Sequence, residues 1–228
     1  MCGRFVSTSP PDELAAYFGA TAAPEATLEP NYNVAPTQDV FAVVEDGGER
    51  HLDAFYWGLV PSWAKDVKIG SRMINARADT LAEKNAYKAA FKKRRCLIPA
   101  DGFYEWTRNQ SDGGRDPWFI HLAGTQPLSF AGLWAHNSKL DVTSCTIITM
   151  SAGEPMAQLH DRQPAILAPE AYDAWMDPAT PAADVKPLLA NNLDGDLQFH
   201  RVNRRVNASR KTDKPNDDAS MIGPINPL

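Results

Sequence analysis

The chain has 228 residues, 43% of them hydrophobic and 22% charged, with a net charge of −5. This is the balance of a globular protein long enough to bury a core without staples, and the acidic total argues against a generic nucleic-acid binder. Three cysteines, Cys2, Cys96 and Cys145, are too few and too odd for a disulfide framework and fit a reducing, cytoplasmic setting; no basic-then-apolar leader opens the chain, and no apolar run reaches the ~18–20 residues of a membrane span.

The chain opens with MCGRF. If Met1 is removed, Cys2 carries a free α-amine and a thiol on adjacent carbons, a 1,2-aminothiol that no internal cysteine offers. If Met1 stays, Cys2 is one more thiol near a chain end, where chains fray. TSPPDELAAYF then reads as a helix capped by Thr8 or Ser9, with prolines at its first turn. DVFAVVEDGGERHLDAFYW reads as a β-hairpin turning at Gly47-Gly48. TLAEKNAYKAAFKKRR is predicted helical, with Leu81, Ala82, Ala86, Ala89, Ala90 and Phe91 near one face. Apolar runs of strand length follow: CLIPA, GFYEW, PWFIHL, LSFAGLWA and CTIITMSA. APEAYDAWM and ADVKPLLANN read as late helices. The expected fold is α+β, with a mostly antiparallel, barrel-like β core and peripheral helices. The expected organisation is one domain over 1–228, ending in a polar, partly disordered tail from about residue 208.

The charge is uneven. Residues 1–60 carry 2 basic and 9 acidic side chains, and residues 61–110 carry 11 and 5. Residues 111–200 carry 4 and 11, and residues 201–228 carry 6 and 3. Two basic blocks in an acidic chain are either solvated faces or an anion-binding groove.

Several chemistries have no signature here. There is no CxxC or paired Cys/His spacing for a metal, no P-loop, no GxGxxG and no GxSxG elbow. No cofactor and no metal are expected. Cys96 and Cys145 sit inside apolar strands and read as core. Four other segments hold polar or aromatic residues in unusual company. MINARADT puts Asn75, Arg77 and Asp79 at alternating positions, which share a face in an extended segment. ADGFYEW sets Glu105 in an otherwise buried run; either alternation turns it to solvent, or it is buried with a raised pKa or a partner. LHDRQP sets His160 before a charged pair, where a structural role is the commoner one. WGLVPSW holds Trp57 and Trp63 around a Gly/Pro turn, as core aromatics or, if exposed, as a stacking platform.

Six ordered segments, MCGRF, NYNVAPTQ, WGLVPSWAKD, MINARADT, RRCLIPADGFYEW and LHDRQPAIL, carry a resemblance to the SOS-response-associated peptidase (SRAP) family of abasic-site-processing proteins. The resemblance reaches at least residue 170, and more weakly VNRRVN. Two positions depart from the family pattern. Asn31 stands where Arg is common and Gln163 where Met is common, and both are expected to flank the site.

The resemblance implies that single-stranded DNA containing an abasic site is the partner, that no membrane is involved, and that the protein is a cytoplasmic monomer, nucleoid-associated when bound. The Cys2 amine would attack the ring-opened aldehyde to give a Schiff base, and the thiol would close a thiazolidine, a covalent DNA–protein crosslink formed during the DNA damage response. Asn75 would orient the amine or the opened sugar, Glu105 would shuttle protons and assist strand cleavage, and His160 would protonate the sugar ring oxygen. Arg4, Arg77 and Arg162 would hold phosphates, and Trp63 would stack on a base. Loss of Met1 by self-processing, as the family name implies, and by an aminopeptidase are both compatible with this sequence. Two rival readings are an N-terminal-nucleophile amide hydrolase, which needs an oxyanion hole, and a non-enzymatic nucleic-acid-binding module.

Overall fold

The computed structural model describes residues 2–190, 193–208 and 218–225. Met1 and its removal therefore lie outside the described residues. Thirteen strands carry the described fold: β1 (Phe5–Ser7), β2 (Thr21–Ala22), β3 (Asn31–Val34), β4 (Asp39–Asp46), β5 (Glu49–Trp57), β6 (Asn75–Arg77), β7 (Arg95–Ala100), β8 (Gly102–Arg108), β9 (Arg115–Leu122), β10 (Leu128–Asn137), β11 (Val142–Ser151), β12 (Arg162–Pro164) and β13 (Leu197–Arg201). The main helices are α1 (Pro11–Phe18), α2 (Asn85–Lys93) and α3 (Tyr172–Met176).

One sheet closes on itself. β11 pairs antiparallel with β10, β10 with β7, β7 with β4 and β4 with β5, and β5 returns to β11 in parallel, with Trp57 opposite Cys145. The result is a ring of five strands. A second, wholly antiparallel sheet runs β13-β9-β8-β1-β3. The expected α+β fold with a mostly antiparallel, barrel-like core is the observed one. Both faces of β4, β7, β10 and β11 are buried over most of their length. Along β4, Val40, Ala42 and Val44 join one apolar cluster with Phe5, Phe103 and Ile120 of the second sheet. Phe41 and Val43 join another with Phe18, Phe91 and Trp175 of the helices. Strands covered on two sides read as continuous apolar runs, as these do. Cys96 and Cys145 are fully buried among them.

Local chemistry sets the turns. Gly47 (φ 61°) and Gly48 (φ 85°) make a two-residue connection between Asp46 and Glu49, a conformation side chains resist. Arg95, 1% exposed, ties the helices to the ring. Its guanidinium donates to the carbonyls of Phe91 (2.9 Å), Lys92 (2.8 Å), Trp175 (2.5 Å), Asp177 (2.5 Å) and Thr180 (3.1 Å), the exposed acceptors of two helix ends.

Three local expectations are corrected. Helix α1 has no side-chain cap, because Pro10 is its N-cap residue and Thr8 and Ser9 serve elsewhere. The helix expected from Thr80 begins only at Asn85, because the Glu83 and Lys84 amides close a turn on the Thr80 carbonyl and Lys84 is extended (ψ 120°). Ala82 and Ala89 are accordingly exposed, and Tyr87 takes the buried face. In MINARADT only residues 75–77 are extended, and Asp79 sits in the following turn. Of the expected tail, 209–217 and 226–228 lie outside the described residues. Within 218–225, Met221 is buried and Pro224 bridges to Val202.

Thr8 and Ser9 hold the start of the chain. Both backbone amides and both hydroxyls donate to the Asp101 carboxylate, the Thr8 amide at 2.5 Å and the Ser9 amide at 3.0 Å. Asp101→Ala leaves these donors without their acceptor and is expected to destabilise the protein by about 2–3 kcal/mol. The check is the urea midpoint at constant slope; an unchanged midpoint would show that Asp101 does not anchor β1.

Candidate functional site

The site is assembled around a buried chain end. β1 pairs with β8, Phe5 opposite Phe103 and Val6 opposite Gly102, and the Tyr104 amide donates to the Arg4 carbonyl at 3.0 Å. β8 and β9 approach closely at Gly102, where an added Cβ would lie 2.4 Å from the Phe119 ring and 2.7 Å from the Ile120 carbonyl. The same register, carried back along the chain, sets Gly3 opposite Glu105. Cys2 is fully buried, and its thiol points to the Arg4 carbonyl at 3.9 Å. Asn75, on β6 beside β11, donates from Nδ2 to the Cys2 carbonyl at 2.7 Å. Its Oδ1 is buried with no hydrogen-bond partner among the described residues.

Glu105 is 2% exposed, so alternation does not turn it to solvent. Burial raises its pKa, and the neighbouring His160 offsets part of that rise. Burial also pushes the Cys2 thiol far up, and the nearby Glu105 charge adds to the effect. Burial therefore favours the protonated form of the thiol.

Gly3, Glu105 and His160 line one cleft of about 630 Å³. His160 is half-buried after the turn at Met156–Gln158. Its Nδ1 accepts from the Arg162 amide at 2.9 Å and lies 2.8 Å from the Asp161 carboxylate.

Arg162 and Arg77 stand on β12 and β6, on opposite sides of β11; Thr149 is opposite both Arg77 and Pro164. Arg162 donates from Nη2 to the Thr149 carbonyl (2.6 Å) and hydroxyl (3.1 Å). Burial lowers its pKa, and so does the charge of Arg77. Arg77 is exposed and makes a two-bond contact with Asp79, at 3.1 and 2.6 Å, which raises its pKa and lowers that of Asp79. Arg4 is half-buried and donates to Asn33 Oδ1 (2.7 Å) and the Val206 carbonyl (3.1 Å).

The structure thus brings Cys2, Asn75, Glu105 and His160 together, with Arg4 beside them and Arg77 and Arg162 on either side of β11. It does not bring Trp63 there. Trp63 is 59% exposed but lines a separate cleft of about 270 Å³ with Asn85, Arg94 and Trp134. Trp57 is core, its indole donating to the Ile74 carbonyl at 3.0 Å. The expected flanking role of Gln163 is also corrected: it is fully buried and its Oε1 accepts from the Gly153 amide at 3.1 Å, so it positions a loop from inside the protein. Asn31 lies on a different cleft, with Thr37 and Gln38. Sequence reasoning passed over Trp106, whose indole donates to Asn207 Oδ1 at 2.6 Å and walls the Glu105 cleft. The one available signal was its place next to the candidate acid. Among the described residues, no group of three or more His, Cys, Asp or Glu side chains could hold a metal ion, and no helix is long and apolar enough to cross a membrane.

Residues 1–209 match the family described as SOS response associated peptidase (SRAP). The chain is 39% identical over 215 residues to the abasic site processing protein YoaM of Bacillus subtilis, covering 92% of this chain and 94% of that one. It is 28% identical to the abasic site processing protein YedK of Escherichia coli, over 99% and 100% of the two chains. Among solved structures, a Bacteroides thetaiotaomicron protein superposes with a TM-score of 0.82 at 20% identity, covering 99% of this chain and 100% of that one. A phage-related protein of Bordetella bronchiseptica superposes with a TM-score of 0.72 at 30% identity, covering 88% and 94%. Family match, identity over nearly the whole length and shared fold agree, and the chain belongs to the SRAP family.

Proposed function

We propose that this protein captures abasic sites in single-stranded DNA by bonding them to Cys2 once Met1 is gone, acting as a monomer without a cofactor. The observation that carries this reading is the second residue of the chain, buried beside a buried carboxylate and gripped through its carbonyl by Asn75. Relatives that match 92% and 99% of the chain are named abasic site processing proteins, which supplies the substrate class.

The order of steps follows from the protonation states. A protonated, buried thiol is a poor first nucleophile. The neutral α-amine attacks the aldehyde carbon of the opened sugar first. The carbinolamine loses water to become an imine, with Glu105 delivering the proton to the leaving hydroxyl. The sulfur then adds to the imine carbon, Glu105 takes the thiol proton, and the nitrogen gains one. The product is a thiazolidine; one water leaves and nothing is oxidised or reduced. A carboxyl with a raised pKa suits both proton transfers near neutral pH. The same carboxylate serves strand cleavage by elimination from the imine. A ring proton of His160, which lines the same cleft, serves the sugar ring oxygen as the ring opens. The buried Asn75 Oδ1 is an acceptor that is costly to leave unfilled, and the α-amine or a sugar hydroxyl is the donor that fills it. Arg77 and Arg162 hold flanking phosphates, with the exposed Asp79 giving way to a phosphate oxygen.

Cys2→Ala keeps the α-amine and is expected to form an imine that borohydride traps, with no heat-stable adduct. A residue that cannot be removed ahead of Cys2 is expected to abolish the heat-stable adduct too. A denaturing gel after heating reads both, and a stable adduct surviving either change would refute the aminothiol.

Glu105→Gln is expected to slow crosslinking and strand cleavage by roughly 10²–10⁴-fold, the scale of a positioned acid–base group. Its stability should move the other way. Because the folded pKa of Glu105 is raised, the wild type gains stability from this group at low pH and loses it as pH rises through that pKa. The variant should therefore melt higher than wild type at pH ~8 and equal to it at pH ~3 or below, where the carboxyl is protonated folded and unfolded. Equal rates, or a melting difference that does not depend on pH, would remove Glu105 from this role.

Arg77→Ala and Arg162→Ala are each expected to weaken non-covalent binding of single-stranded DNA and to lower the slope of log affinity against log salt by about 0.7. Salt-independent binding by the wild type would contradict the phosphate contacts.

A further inference from the structure

The Glu105 cleft continues past Trp106 along the β8–β9 hairpin, where it is lined by Arg108, Gly113 and Arg115. A neighbouring cleft of about 430 Å³ shares Gly3, Trp106 and Arg115 with it and adds Arg4 and Asn207. The two are lobes of one trough wrapped around the Trp106 indole. Asn207 fixes its geometry, accepting from the indole at 2.6 Å and donating to the Arg115 carbonyl at 3.0 Å.

Arg108 and Arg115 lie directly opposite each other across the hairpin. Like charges in that position are destabilising. Both are exposed, and neither forms an ion pair with a described residue. The hairpin does carry two acids that could neutralise them, but both are engaged by arginines at and just after the end of β13. Asp116 is held by Arg201 (2.9 Å), Arg204 (2.6 Å) and Asn109 (2.8 Å), and Asp112 is held by Arg204. Two arginines and two aspartates thus fix the hairpin, and two facing guanidinium groups are left uncompensated on the trough.

We propose that Arg108 and Arg115 form a second phosphate-binding station, which grips the sugar–phosphate backbone of the DNA strand where it leaves the Glu105 cleft past Trp106. The proposal rests on the reading of the site as a DNA site. Its ligand is a polyanion with closely spaced phosphates, recognised without regard to base. Guanidinium groups on neighbouring strands suit two-bond contacts to phosphate oxygens, and the phosphate charge offsets the repulsion between them. This station lies along β8 and β9, whereas Arg77 and Arg162 flank β11.

The test uses the full chain and oligonucleotides carrying tetrahydrofuran, an abasic analogue without an aldehyde, so that only non-covalent binding is read. One oligonucleotide has about 5 nucleotides and the other about 15, spanning the range of single-strand site sizes. Wild type should bind the longer one more tightly. In the Arg108→Gln/Arg115→Gln double variant that preference should fall roughly tenfold, with the salt slope for the longer strand lower by about 1.4. Arg108→Lys/Arg115→Lys should retain most of both. Without DNA, at low salt, the double Gln variant should melt no lower than wild type, since a repulsion has been removed. A double Gln variant that keeps the length preference and the salt slope of a DNA-binding, crosslinking wild type would reduce the pair to a solvated face and leave the proposed chemistry standing. Preferential binding of an acidic peptide over the longer oligonucleotide would replace the nucleic-acid strand by a protein partner. A wild type that neither binds nor crosslinks abasic DNA would overturn both readings together.

Discussion

The constraint on which the molecule depends is that a chain end must be held inside a folded core. Ends ordinarily fray, because the entropy of ordering them is not offset by contacts on both sides. Here the first strand is only three residues long, yet it is paired on both edges, to β8 and to β3. Asp101 collects the donors that follow it, and Asn75 takes the carbonyl before it. The strand that pairs with the chain end also carries Glu105, so the backbone ladder that orders Cys2 sets its distance from the carboxyl. Position and chemistry come from the same hydrogen bonds.

Burial then decides protonation. Low-dielectric surroundings favour the neutral forms of Cys2 and Glu105 alike. Enzymes built on a thiolate do the reverse and lower the cysteine pKa with a cation or a helix end. A site whose burial favours the protonated thiol and raises the carboxyl pKa suits a nucleophile needing no thiolate, which an α-amine is. The cations at the rim are held by different means. Arg162 is bound to uncharged oxygens of Thr149, while Arg77 is bound to an exposed aspartate that a phosphate can displace.

Legibility in the sequence followed the range of the interactions. The hairpin at Gly47-Gly48 is a local event, and the residues that make it are adjacent. The closure of the ring is not. It joins Trp57 to Cys145 in parallel, across strands far apart in the chain, and no pattern within a window reports it. Glu105 was ambiguous for a physical reason: β8 is covered on two faces over much of its length, so alternation does not separate inside from outside. The start of α2 was misplaced because an apolar anchor at Leu81 has the spacing of a helix face while belonging to the turn before it. Arg108 and Arg115 gave no signal at all. Exposed arginines are the common case, and only their register and the engagement of Asp112 and Asp116 elsewhere make them unusual.

The most direct measurement is the mass of the joined peptide. After reaction with an oligonucleotide containing one natural abasic site, nuclease and trypsin digestion should leave Cys2-Gly3-Arg4 bonded to the abasic nucleotide. Its mass should equal tripeptide plus nucleotide less one water, without Met1, and it should resist both thiol alkylation and borohydride because nitrogen and sulfur share one carbon. A stable adduct at any other residue, or on a peptide that retains Met1, would contradict the assignment of this chemistry to the Cys2 aminothiol.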